Sequence, residues 1–123
     1  MNMTYDPLSE VIDEPLSIDT AVLDALREFR RADKLVYLPG VDVTAERIRL
    51  SELVNTLTDE LIDGVTRSPS KKWVMERFQQ QLQKVQQEDT EAREHFGTEL
   101  ETLMDILSID SSDGLLSFYL GGF

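Results

Sequence analysis

The fold is decided by residues 89–123, which read DTEAREHFGTELETLMDILSIDSSDGLLSFYLGGF. Between Ala92 and Leu107 the apolar side chains recur at spacings of three and four, which places them on one face of a helix. They are Phe96, Leu100, Leu103, Met104 and Leu107. After a hinge at residues 109–114 the chain becomes apolar again, and such a terminus is predicted to pack on the rest of the domain.

The same periodicity predicts three long helices before this one. Ser17 or Asp19 is expected to cap the first, because both residue types are favoured N-caps. A second helix is predicted over roughly 44–66. Ser68–Pro69 is predicted to open the third, with Ser as N-cap and Pro at the first helical position. Its glutamines, within residues 79–87, are predicted to face solvent.

Asp89–Thr90 is predicted to cap the fourth helix, and Ser111 or Ser112 a short fifth helix over about 113–120. Short connections favour antiparallel neighbours. The prediction is therefore an all-α fold: a small antiparallel bundle of four principal helices plus a short C-terminal helix, with an extended connector near 35–41. The residues of the fifth helix predicted to pack on the bundle are Leu115, Leu116, Phe118 and Leu120.

The chain is predicted to have two parts. Residues 1–15 lack periodicity and contain two prolines, so they are predicted to be an irregular segment that is dispensable for folding. Residues 16–123 are predicted to form a single helical domain. Neither a signal peptide nor an apolar run of about 20 residues is apparent, so a cytoplasmic protein with no membrane partner is expected.

The charge of the chain is strongly negative and unevenly distributed. The net charge is −12, and residues 88–123 hold nine acids and one base. Such a field repels nucleic acid and anionic membranes and suits a protein partner with a basic surface. The alternative explanation is that the negative charge only keeps the protein soluble. One basic cluster comprises Arg27, Arg30, Arg31 and Lys34. It is a candidate electrostatic partner for an acidic face of this chain or of a second copy, so a homo-oligomer is possible.

No motif in the chain indicates catalysis, a cofactor or a metal. A calcium loop with Gly114 at its sixth position would need carboxylates at Ile109 and Leu120, and both are apolar. A di-iron site needs Glu three residues before His, but Ala92 precedes the single histidine, His95. His95 is instead predicted to pair with Glu91 on the helix surface. No catalytic, cofactor-binding or metal-ligating residue is therefore assigned, and no enzyme is expected.

Six residues are candidates for binding a partner. Two acidic patches are expected on the solvent faces of the second and fourth helices, where an electrostatic partner would meet them. Trp73 is predicted either to lie in the core or to anchor a partner, because exposed tryptophan contributes strongly to interfaces. The candidates are Asp59, Glu60, Asp63, Trp73, Glu99 and Glu101.

The chain resembles a small bacterial family of acidic domains without assigned function. The resemblance rests mainly on residues 89–123, with DTEARE at 89–94, MDIL at 104–107 and IDSSDGLL at 109–116. The Pro39-Gly40-Val41 turn before a long helix fits the same pattern. The resemblance implies a soluble helical protein and supplies no catalytic residues.

Two functions follow as hypotheses. The first is a non-enzymatic acidic protein-interaction module that binds a basic partner, by analogy with bacterial immunity or inhibitor proteins. The alternative is a regulatory domain that binds a small molecule in an apolar pocket between helices, gated by the Leu35–Leu38 connector.

Overall fold

The computed structural model describes residues 5–36 and 43–121, and these residues form an all-α bundle. Within those ranges there are five α-helices, a 3₁₀ helix at Pro7–Glu10 and no strand. The α-helices are α1 (Thr20–Arg31), α2 (Val43–Gly64), α3 (Lys71–Val85), α4 (Thr90–Ile106) and α5 (Leu115–Leu120). The predicted fold class is confirmed. None of the described helices is both long and apolar enough to cross a membrane.

Helix α2 occupies the middle of the bundle and contacts α1, α3 and α4, while α5 packs against α3 and α4. Each long helix turns an apolar stripe inward, and each fully buried side chain contributes roughly 1.5–3 kcal/mol to stability. The largest buried side chains include Leu26, Leu50, Leu57, Leu61, Phe78, Leu82, Phe96 and Leu100.

The predicted caps of α1 and α4 are confirmed, and the cap predicted for α3 is wrong. Asp19 Oδ1 accepts from the Val22 N–H at 2.9 Å, and Asp89 Oδ1 accepts from the Ala92 N–H at 2.8 Å. The N-cap of α3 is Ser70, two residues after the predicted Ser68. The reason is that the Pro69 carbonyl accepts from the Leu16 N–H at 2.7 Å, which keeps this stretch outside the helix.

Helix α5 begins later than predicted, and one of its residues faces the other way. Its N-cap is Gly114, with a φ of 89° that glycine adopts without strain. Ser112 still contributes, because its Oγ accepts from the Leu116 N–H at 3.2 Å. Phe118 was predicted to be in the core but is 47% exposed, whereas Tyr119 is buried. The buried positions 115, 116, 119 and 120 share one side of the helix, and position 118 lies outside it.

Residues 5–16, named here the N-terminal strap, pack on α3 and α5 although most of them lack regular structure. Val11 is buried, and the Glu14 carbonyl accepts from the Lys71 N–H at 2.9 Å. Asp13 Oδ1 accepts from the Ser70 hydroxyl at 2.7 Å. These contacts are at odds with the expected dispensability of the segment. A domain boundary at residue 15 stays a prediction.

A buried ion pair joins the strap, α3 and the turn before α5. Lys71 is 3% exposed, and its Nζ donates to Asp113 Oδ2 at 2.8 Å. The same oxygen accepts from the Ile12 N–H at 2.8 Å. The Lys71 hydrogen bond, and after it the Ile12 N–H, hold the pKa of Asp113 below its ordinary value. Three segments far apart in sequence therefore meet at one carboxylate.

The described part of the predicted connector is a turn and not an extended segment. Leu35 has a φ of 58°, an uncommon value for a residue other than glycine, and its side chain is buried in the core. Its N–H donates to Glu99 Oε2 at 2.7 Å, which fixes this conformation. Residues 37–41, including the predicted Pro39-Gly40 turn, lie outside the described residues.

Candidate functional site

The three candidate acids of α2 lie in different environments. Asp59 is exposed, but its Oδ1 accepts from Arg30 Nε at 2.7 Å, so it links α2 to α1. Glu60 is half-buried. Asp63 is exposed and lies in no ion pair with another described residue. Of the predicted patch, only Asp63 is an exposed carboxylate that the described fold leaves unpaired.

The two candidate acids of α4 also separate. Glu99 is half-buried and accepts a hydrogen bond from the Leu35 N–H, so it stabilises the turn after α1. Glu101 is exposed. The expectation that both residues face solvent is therefore wrong for Glu99, because the turn at Leu35 covers that side of α4.

Trp73 packs at the contact between α2 and α3 and is not a fully exposed side chain. Its indole lies against Gly64 of α2, where an added Cβ would come within 2.6 Å of the Trp73 Cη2 atom. On the ring itself, the Arg77 guanidinium carbon lies 4.7 Å from the centroid. The side chain is partly buried in consequence. Of the two predicted roles, the structure supports packing.

An exposed row of acids runs along α4 and is named here the acidic stripe. Its residues follow spacings of three and four, so they share one helix face over about 21 Å. All of them are exposed, and none of its carboxylates pairs with a cation in the part of the chain that the structure describes. The stripe comprises four acids, Glu91, Glu94, Glu101 and Asp105, with Thr98 on the same face between Glu94 and Glu101. The sequence analysis named Glu101 as a candidate but did not connect it with Glu91 and Glu94.

A cleft of about 510 Å³ lies between the C-terminal end of α1 and the N-terminal half of α2, and is named here the α1–α2 cleft. It lies beside the predicted connector, where the alternative hypothesis expected an apolar pocket. Its walls are mixed, with four cations beside two exposed apolar side chains. These residues are Arg30, Arg31, Lys34, Arg47, Val36 and Ile48. The walls of this cleft are therefore amphipathic, Ile48 being 55% exposed, and the hypothesis of an apolar pocket stays a prediction.

Lys34 forms part of the cleft wall and closes the end of α1. It is 4% exposed, and its Nζ donates to the Arg30 carbonyl at 3.3 Å and to the Ala32 carbonyl. The ammonium lies 4.7 Å from the centre of the Phe29 ring. Burial lowers the pKa of Lys34, and the nearby Glu99 carboxylate opposes that shift. The role of Lys34 is to satisfy carbonyls left open at a helix end.

Arg31 and Arg47 are the cleft cations with the fewest polar contacts to the rest of the described fold. Neither forms an ion pair with another described residue. Arg47 Nε and Asn55 Oδ1 are buried atoms without a hydrogen-bond partner among the described residues. Two carboxylates, Asp33 and Glu52, also line the cleft, so its charge is mixed but predominantly positive.

Metal-ligand chemistry is not apparent in the described ranges. No group of three or more His, Cys, Asp or Glu side chains there has a geometry that would hold an ion. His95 lines a small cavity of about 240 Å³ together with Asp33 and Glu99. The predicted pair with Glu91 is not among the hydrogen bonds or ion pairs of the described residues, since Glu91 points to solvent.

The comparisons place the chain in a family that has no assigned function. The family profile described as Domain of unknown function (DUF4844) matches residues 17–123, and the chain belongs to this family. The match begins well before the region that carried the sequence resemblance. No curated protein and no solved structure is significantly similar to the chain.

Proposed function

We propose that the domain is a non-enzymatic binding module whose acidic stripe docks on a protein partner with a basic surface. The observation that carries this proposal is the stripe itself: four exposed carboxylates on one face of α4, unpaired within the described chain. A row of like charges about 21 Å long is a surface that complements a basic face and speeds its approach.

Two of the four acids, Glu101 and Asp105, are placed unfavourably for the isolated fold. Glu101 and Asp105 are four residues apart on a helix, and like charges at that spacing destabilise it by about 0.2–0.5 kcal/mol. Asp105 also lies in the last turn of α4, where the helix dipole favours cations and no basic residue is present. Carboxylates that oppose their own helix are better explained by an external partner than by the stability of the domain.

The charge of the whole chain supports the same class of partner. A net charge of −12 disfavours nucleic acid and anionic membranes. A small acidic helical bundle that binds a basic protein is the arrangement expected of an immunity- or inhibitor-like protein, and this analogy is part of the proposal. The alternative, a regulatory domain with an apolar pocket, has less support because six of the eleven residues that line the α1–α2 cleft are charged.

The test compares two variants that lose the same number of charges. The stripe variant carries Glu94→Gln, Glu101→Gln and Asp105→Asn. The control carries Glu10→Gln, Asp24→Asn and Glu28→Gln, which are exposed residues outside the stripe. Both are used as bait in native lysate, and proteins retained by wild type are identified by mass spectrometry.

We expect a basic protein that wild type and the control retain and the stripe variant loses. Its association rate should fall as salt rises from physiological strength to about 1 M, because the Debye length shrinks from about 8 Å to about 3 Å. Equal retention by the two variants would refute the role of the stripe.

A further inference from the structure

We propose that the α1–α2 cleft is a binding site for a small organic anion. The acidic group would be held by Arg31 and Arg47, and the body of the ligand would lie over Val36 and Ile48. This inference goes beyond the protein-binding function of the acidic stripe and uses none of its residues.

The size and walls of the cleft suit a small molecule. Its volume of about 510 Å³ lies within the roughly 300–1,000 Å³ of ligand sites. Five large apolar side chains are exposed among the described residues, and two of them, Val36 and Ile48, line this one cleft. Apolar surface next to guanidinium groups fits a ligand that has both an apolar body and an anionic group.

The cations of the cleft are not equally available. Arg30 Nε donates to Asp59, and Lys34 Nζ donates to backbone carbonyls at the end of α1. Arg31 and Arg47 have no such ionic partner within residues 5–36 and 43–121. The two available guanidinium groups therefore lie on opposite walls, one on α1 and one on α2.

Arg47 has an unsatisfied hydrogen-bond donor at the cleft. Its Nε is buried and makes no hydrogen bond to another described residue, so an acceptor that enters the cleft would supply the missing partner. A planar guanidinium donates two parallel hydrogen bonds to a carboxylate or a phosphate, which gives both affinity and orientation.

The charges around the cleft limit the ligand to a small one with a single acidic group. Asp33 and Glu52 line the same cleft and would repel a larger polyanion. The net charge of −12 also repels anions at long range. At physiological salt that field is screened beyond about 8 Å, so the nearest cations decide binding once the ligand is inside.

The experiment distinguishes the contribution of the acidic group to affinity from the contribution of the apolar body of the ligand. Four probes are titrated into the full chain: phenyl phosphate, benzoate, inorganic phosphate and benzyl alcohol. Affinity is measured by calorimetry, and the bound position by amide chemical shifts in NMR spectra. We expect phenyl phosphate or benzoate, or both, to shift amides in residues 30–36 and 47–55. Inorganic phosphate and benzyl alcohol should bind about tenfold more weakly.

Substitutions test the named residues. Arg47→Gln and Arg31→Gln should each weaken binding about tenfold, because each removes a charge-assisted hydrogen bond. Arg31 is exposed, so its variant keeps the fold even if the Arg47 variant does not. Arg67→Gln removes an exposed arginine outside the cleft and should change nothing. Absence of cleft shifts with every probe, or equal losses in the Arg31 and Arg67 variants, would overturn the proposal.

Discussion

The buried ion pair and the acidic stripe use carboxylates in opposite ways. Asp113 accepts hydrogen bonds from Lys71 and from the Ile12 backbone, and it joins three segments of the chain. The carboxylates of the stripe are exposed and have no cationic partner in the described chain. The carboxylates of both regions lie in the acid-rich last third of the sequence, so composition does not separate them. The difference is whether a cation or a backbone N–H lies within reach, and that depends on tertiary structure.

The largest expected effect comes from removing the segment that follows the ion pair. Deleting residues 114–123 takes away four buried side chains of α5, each contributing about 1.5–3 kcal/mol. That loss is comparable to the whole stability of a domain, about 5–15 kcal/mol. Circular dichroism should show an unfolded chain. Phe118→Ala is the control: the ring is half exposed, so this variant should remain folded.

Breaking the ion pair itself should have the next largest effect. Lys71→Ala leaves Asp113 without its cation, and because the Asp113 side chain is 21% exposed the loss should be about 2–3 kcal/mol. Urea unfolding measures the loss. Lys72→Ala, one residue further on, should change stability by no more than about 0.5 kcal/mol, because its side chain forms no ion pair in the described structure. Similar losses in both variants would contradict the special role of Lys71.

The N-terminal strap should be protected, contrary to the expectation from sequence. The Ile12 and Leu16 N–H groups donate to Asp113 and Pro69, so their hydrogen exchange should be slow. Deleting residues 1–15 should lower stability by about 1.5–3 kcal/mol through the loss of buried Val11 alone. Fast exchange at both amides, with an unchanged melting temperature after deletion, would show that the strap does not contribute.

The ion pair should also make the fold sensitive to acid. Because the pKa of Asp113 is lowered, its contribution is present above the unfolded value, near pH 4, and is lost as the pH falls through the lowered pKa. Asp113→Asn should therefore flatten the fall in urea midpoint between about pH 6 and pH 3.

The pKa of Glu46 is shifted in the opposite direction to the pKa of Asp113. A hydrogen bond with Glu88 raises the pKa of Glu46, so its contribution is present at low pH and is lost as the pH rises through the raised pKa. Glu46→Gln should make the acid loss steeper. Parallel profiles for the two variants would contradict both assignments.

The smallest expected effect is at the stripe. Glu101→Gln with Asp105→Asn should raise stability by about 0.5 kcal/mol, because it removes a like-charge pair and an unfavourable dipole contact. Asp59→Asn is the matched control, since it removes an acid that pairs with Arg30 and should cost about 0–1 kcal/mol. If the stripe variant is less stable than the control, these carboxylates serve the fold after all.

Much of the helical architecture was predictable because it depends on neighbours in sequence. Asp19 and Asp89 cap helices three residues away, and the spacing of Phe96, Leu100 and Leu103 describes a face without any tertiary information. The errors occur where a distant segment intervenes. Ser68 is not the N-cap of α3, because the Pro69 carbonyl accepts a hydrogen bond from Leu16 of the strap. That long-range contact could not be predicted from the local sequence.

The candidate site was predictable only in part, for the same reason. Glu99 and Glu101 look equivalent in sequence, yet the Leu35 N–H reaches Glu99 alone. Gln81 was predicted on the solvent face of α3 but is buried, since its position on the helix faces inward. The spacing of the stripe was available in the sequence from Glu91 to Asp105. The α1–α2 cleft was not, because it depends on how two helices meet.

The contact between Gly64 and Trp73 has an optical consequence. Trp73 is the sole tryptophan of the chain, and it packs against a position that has no side chain. Tryptophan emission, excited selectively so that the three tyrosines do not contribute, therefore reports on the junction of α2 and α3. A denaturation curve followed by emission describes that single junction, whereas circular dichroism describes all the helices. If the two curves coincide, the bundle loses its structure in one cooperative step, and if they diverge, this junction opens on its own.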